Sequence, residues 1–113
     1  MNNILRFPDG FRWGAATAAH QNEGSNHANN WSLWEQQPGR IAGGQVCGLA
    51  TNWWDLETAA ADFDRAAGLG LNSLRISVEW SRIEPNPGEF DAQALAKYGQ
   101  MVGLLRERGL EPM

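Results

Sequence analysis

The sequence predicts a parallel α/β architecture, and three observations carry that expectation. Residues 70–85 hold a strand of period two, in which Leu74, Ile76 and Val78 alternate with Arg75, Ser77 and Glu79. Helical patterns stand on both sides of that strand, and strands alternating with helices is the order a parallel sheet requires. The 113 residues supply two strands and the start of a third, too few to finish such a sheet. Residues 1–113 therefore read as one incomplete domain.

The elements follow in order. Phe7-Pro8-Asp9-Gly10 is a turn signal. Residues 11–19 are a small-residue strand candidate, in which Gly14, Ala15 and Ala16 leave room for close backbone approach. The strand runs into His20-Gln21-Asn22-Glu23-Gly24, a polar cluster at its C-terminal end. Residues 29–35, opening Asn29-Asn30, fit one or two helical turns capped by Asn, and residues 38–48 form a Gly-rich loop. Asn52 is the expected cap of the first long helix, with Asp55 at its third position. Its apolar face is Leu56, Ala59, Ala60, Phe63, Ala66 and Ala67, and Gly68 and Gly70 end it. Past the central strand, residues 85–88 form a turn and Asp91 caps a second helix. Leu95, Tyr98, Met101, Val102 and Leu105 are its expected apolar face, Gly109 terminates it, and Leu110 opens the third strand.

The polar face of the central strand leaves two readings open. Arg75 and Glu79 lie either on a solvated outer face, or on a covered strand whose charges need partners in a barrel interior or a cleft. The six tryptophans (Trp13, Trp31, Trp34, Trp53, Trp54 and Trp80) are likewise two-sided, because the indole ring fills a core or stacks on a sugar ring.

Bulk properties remove several classes. A net charge of −4 gives no basic surface for a phosphate backbone, so nucleic acid is not an expected partner. No apolar run approaches the roughly 20 residues of a membrane span. Asn2 and Asn3 lead quickly to Phe7-Pro8, without the charged-then-apolar pattern of a secretory signal. The single cysteine, Cys47, has no internal disulfide partner, which suits a cytoplasmic setting.

Taken together, the residues resemble the N-terminal portion of glycoside hydrolase family 1, the β-glucosidases and β-glycosidases. Phe7-Pro8-x-x-Phe11-x-Trp13-Gly14-x-Ala16-Thr17 followed by Gln21-x-Glu23-Gly24 is similar to the family's N-terminal signature. Asn30-Trp31-Ser32-x-Trp34-Glu35 fits the next block. Asp62, the run at 68–85, Gly88-x-Phe90, Tyr98 and Gly109-Leu110-Glu111-Pro112 follow in family order. Thr51-Asn52 and Ser73-Leu74 depart from the usual residues at their positions, as changes of capping or packing.

The resemblance implies a partial TIM (β/α)8 barrel, comprising the first two βα units and the start of strand 3. It implies a retaining β-glycosidase, foremost a β-glucosidase, acting on a small-molecule β-glycoside or oligosaccharide. No metal or organic cofactor is implied, since two carboxylates suffice for that chemistry. Gln21 matches the family's glycone-binding glutamine, whose amide offers both donor and acceptor to vicinal hydroxyls. Arg75 matches the strand 2 arginine that lies beside the catalytic nucleophile and holds it ionised. The family's acid/base sits in an Asn-Glu-Pro motif and its nucleophile in a Thr-Glu-Asn-Gly-like motif, and neither motif occurs in this chain. Glu23, Glu35 and Glu79 fall outside both. Glu79 reads as a structural residue at the barrel end, His20 as loop packing with lining of the sugar site as the alternative, and His27 as solvent-facing. Trp31, Trp34 and Trp80 are expected to pack beneath the site. The chain alone is expected to be inactive. Two other roles stand beside this one: a non-catalytic carbohydrate-binding module, and a piece that completes a barrel with a second chain.

Overall fold

The computed structural model describes residues 4–113; Asn2 and Asn3 lie outside the described residues. Three short strands form one parallel sheet in the order β1 (Gly14–Ala16), β2 (Ser73–Arg75), β3 (Glu111–Pro112). Gly14 lies opposite Ser73 and Ala16 opposite Arg75, while Ser73 and Leu74 face Glu111 and Pro112. Gly14 is required there, because a Cβ on it would sit 2.8 Å from the Ser73 carbonyl oxygen.

Two short helices, α1 (Ala19–Asn22) and α2 (Asn30–Glu35), follow β1. The long helix α3 (Leu56–Gly68) leads into β2, the short α4 (Trp80–Ile83) follows it, and α5 (Ala92–Glu107) returns the chain to β3. Asn29 caps α2 by accepting the Ser32 N–H, and Asp91 caps α5 by accepting those of Gln93 and Ala94, as their sequence positions predict. The cap of α3 is Asp55, not Asn52. Asp55 has the extended backbone a cap needs and accepts the Thr58 N–H at 3.1 Å, whereas Asn52 has φ +57 and belongs to the turn before it. Thr58, through its hydroxyl and its N–H, also holds the Asp55 carboxyl below its usual range.

The strands are shorter than their sequence patterns. The paired residues reach Ala16 opposite Arg75 on one side and Pro112 opposite Leu74 on the other. Ile76 still donates to the Met113 carbonyl, but Val78 is half exposed and Trp80 starts a helical turn that the alternation gave no hint of. The core lies between one sheet face and helices α3 and α5, built from Phe63, Leu74, Met101, Leu105 and Leu110 with Trp53, Ala59, Ile83 and Tyr98. Leu95 is not part of it; 58% exposed, it lies off the apolar stripe of α5. The radius of gyration is 17.0 Å, against about 13 Å for a compact domain of this length. The chain is a slab with one well-filled layer. No helix among the described residues is long and apolar enough to cross a membrane.

Gly24 marks a second tight crossing. Its φ is +76, and an added Cβ would lie 1.9 Å from the Leu49 carbonyl oxygen. Gly24→Ala is expected to destabilise the protein by about 2–4 kcal/mol through left-handed backbone strain plus overlap with a backbone atom. Urea denaturation of the full reading frame checks this, and a loss under about 0.5 kcal/mol, the range of an ordinary surface change, would contradict the crossing.

Candidate functional site

The polar cluster after β1 becomes α1, and its side chains divide between a cleft and the interior. The cleft has a volume of about 700 Å³ and is lined by His20 and Gln21 of α1, Trp31 and Glu35 of α2, Gln45 and Cys47 of the Gly-rich loop, and Glu79 beyond β2. Gln21 is exposed. Trp31 is 58% exposed. An amide, an aromatic face and carboxylates around one opening are the chemistry that recognises a sugar ring and its hydroxyls.

A hydrogen-bonded chain stiffens one wall. Glu35 Oε2 lies 3.0 Å from His20 Nε2 and accepts the Cys47 backbone N–H at 3.1 Å. The His20 contact and that N–H hold the Glu35 carboxyl below its usual range. The other ring nitrogen of His20 meets the Asn29 amide at 3.1 Å, and that amide also reaches Glu79 Oε2 at 3.4 Å. One ligand atom each of His20, Glu35 and Cys47 falls within 4.8 Å of the others, a grouping of metal-ligating types. The donor pattern does not suit a metal. Coordination through Nε2 would move the ring proton to Nδ1, directly against the Asn29 amide. Burial, then the neighbouring Glu35, also pushes the Cys47 thiol up, away from the thiolate a metal takes.

Beneath the cleft lies a network the sequence does not reveal. Glu23 is 3% exposed. Its Oε2 accepts from Arg82 Nε at 2.7 Å and its Oε1 from the Tyr98 hydroxyl at 2.7 Å. Tyr98 OH in turn accepts the Glu79 backbone N–H at 2.9 Å. Arg82 also donates to the Gly24 carbonyl and stacks over the Trp54 ring, 4.0 Å from its centroid. Burial raises the Glu23 carboxyl above its usual range despite the opposing bonds from Tyr98 and Arg82. Burial and the adjacent carboxylate push the Tyr98 phenol up as well, so it remains a donor.

Arg75 lies elsewhere. It ends β2, donates to the Thr17 carbonyl at 3.0 Å and lines a separate recess of about 290 Å³ with Gly14, Ala16, Ser73 and Met113. Gln21 and Arg75 therefore line two openings at the same ends of neighbouring strands. Trp31, Trp34 and Trp80, expected as packing, are exposed, and the packed indoles are Trp53 and Trp54. His27 is exposed, as its sequence context predicts. Glu79 combines a structural role with a place in the cleft wall.

Residues 4–113 match the family description Glycosyl hydrolase family 1. The chain belongs to that family. It is 38% identical over 112 residues to thermostable beta-glucosidase B of Thermobispora bispora, covering 96% of this chain and 23% of that protein. Against beta-glucosidase A of Thermotoga maritima the identity is 31%, over 97% of this chain and 26% of the relative. Among solved structures, β-glycosidase BGL167 superposes with a TM-score of 0.84 at 42% identity, over 94% of this chain and 25% of that one. The family 1 β-glucosidase from Thermotoga maritima gives 0.85 at 30% identity, over 97% and 26%. The chain spans about a quarter of the length of the curated relatives it matches. Its three-stranded sheet with covering helices is part of the family's α/β barrel.

Proposed function

We propose that residues 1–113 form the N-terminal part of the catalytic barrel of a retaining β-glycosidase, specifically a β-glucosidase. The carrying observation is the family match along residues 4–113, joined to a cleft that presents Gln21. The β-glucosidase names of the relatives support the specificity. In this reading Gln21 hydrogen-bonds hydroxyls of the terminal non-reducing β-D-glycosyl residue. Arg75 holds the nucleophilic carboxylate ionised and oriented.

Hydrolysis then proceeds by double displacement between two carboxyls about 5–5.5 Å apart, one as nucleophile and one as acid then base. Neither family motif for that pair occurs in these 113 residues. The chain alone is thus inactive, and its share of the chemistry is to bind and orient. The single cysteine supports a cytoplasmic setting. The test is hydrolysis of p-nitrophenyl β-D-glucoside by this chain and by the full reading frame. Turnover is expected only from the longer protein. Turnover by the short chain would put the chemistry on its own carboxylates, with Glu23, Glu35 and Glu79 the first suspects. A binding module would bind sugar without turnover in either form.

A further inference from the structure

The Asn29 amide is 5% exposed, and its two ends are not interchangeable. Its Oδ1 accepts the Ser32 N–H at 2.7 Å as the cap of α2, so its NH2 group faces the opposite way. There it meets His20 Nδ1 and Glu79 Oε2. An amide NH2 only donates, so Nδ1 must present its lone pair and the ring proton sits on Nε2. That proton goes to Glu35 Oε2, the same oxygen that receives the Cys47 N–H. One capping side chain thereby connects α1, α2, the Gly-rich loop and the segment after β2.

We propose that Asn29 is a positioning residue for the sugar-binding side of the cleft. By fixing His20 as the neutral Nε2–H tautomer, it ties α1 to Glu35 and the loop, and so holds the neighbouring Gln21 in place. The role rests on the glycosidase reading, because it acts through the grip of Gln21 on substrate. Capping and tautomer control can be separated. Asn29→Asp keeps a cap of equal quality but replaces the NH2 donor with an acceptor. Nδ1 then takes up a proton, and the ring becomes an imidazolium between two carboxylates. The new charge also faces Glu79 and repels it. The remaining titratable groups around the ring are Glu35, the Cys47 thiol and His27, which shares a small recess with His20. Asn29→Ser, a second variant, keeps the cap and removes the donor without adding charge.

The experiment uses the full reading frame labelled with 15N-histidine, reading the His20 ring shifts and the kinetics on p-nitrophenyl β-D-glucoside. The wild-type ring should show a bare Nδ1 and a protonated Nε2, and Asn29→Asp, which puts an acceptor against each ring nitrogen, should show both nitrogens protonated. In both variants KM should rise about tenfold with kcat changed less than about threefold, and Gln21→Ala should mask most of that rise when combined with either. A wild-type proton on Nδ1, a KM within about twofold of wild type, or additivity with Gln21→Ala would each overturn the proposal. Absence of any β-glycoside turnover by the wild-type enzyme would instead sink the glycosidase reading, and the ring shifts would still decide the tautomer.

Discussion

Arg82→Met in the full reading frame is expected to cost about 3–5 kcal/mol, read as a lower urea midpoint, because it leaves a buried carboxylate without its cation. The side chains of Arg82 and Glu23 are 11% and 4% exposed, so solvent screens this pair little. Adding Glu23→Gln removes the stranded charge, and the double variant should recover a substantial part of the loss. The Glu23 carboxyl has a folded pKa above its ordinary value of 4.5. Its contribution is therefore fully present below the unfolded value and is lost as pH rises through the folded one. Without Arg82 that folded value climbs further, so the deficit of Arg82→Met should shrink as pH falls toward 4.5. Equal losses for the single and double variants at every pH would show that Arg82 acts only through its packing on Trp54.

Arg75→Ala should lower kcat/KM on p-nitrophenyl β-D-glucoside by about 100- to 1,000-fold, the scale of losing one oriented charged donor beside a reacting group. The loss carries a signature that a packing defect does not. If Arg75 holds the nucleophile as proposed, removing the guanidinium raises that carboxyl's pKa and moves the acidic limb of the pH–rate profile to higher pH. Arg75→Lys should restore part of that limb while lacking the planar fork. A loss with an unmoved acidic limb would assign Arg75 to holding β1, through its bond to the Thr17 carbonyl.

What the sequence discloses is what neighbours in the chain decide. Asn29 and Asp91 announce their helices because a cap acts on residues two or three places ahead. Phe63, Met101 and Leu105 announce the core because helical spacing repeats locally. Asn52 misleads because Asn and Asp serve both as caps and as left-handed turn residues, and only backbone geometry tells the two uses apart. Strand ends depend on neighbouring strands distant in sequence, so the alternation through Val78 does not by itself say where pairing stops. The Glu23–Tyr98 bond joins residues 75 apart in the chain and Glu23–Arg82 joins residues 59 apart, so no local pattern encodes either. The cleft residues His20 and Glu35 and the buried Asn29 lie closer together, but their hydrogen bonds depend on how α1 and α2 meet. Gln21 and Arg75 enter the proposed site through family resemblance, since no local pattern assigns them a role.

Strand β1 pairs only with β2 among the described residues, so its other side is open. In a closed barrel that side is completed by the final strand, which in relatives about four times as long leaves the ribosome last. At about 5–20 residues per second, the roughly 400 residues between the first and last strands of such a relative take on the order of 20–80 s to emerge. In a protein of that length the first strand keeps an open edge toward any passing extended chain for that time. Gly14, Ala15 and Ala16 make it a poor template, because three residues without a β-branched or aromatic side chain give a stranger little to hold. In a chain of the relatives' length, the small side chains that let β1 crowd against Ser73 would also guard that edge before the ring closes.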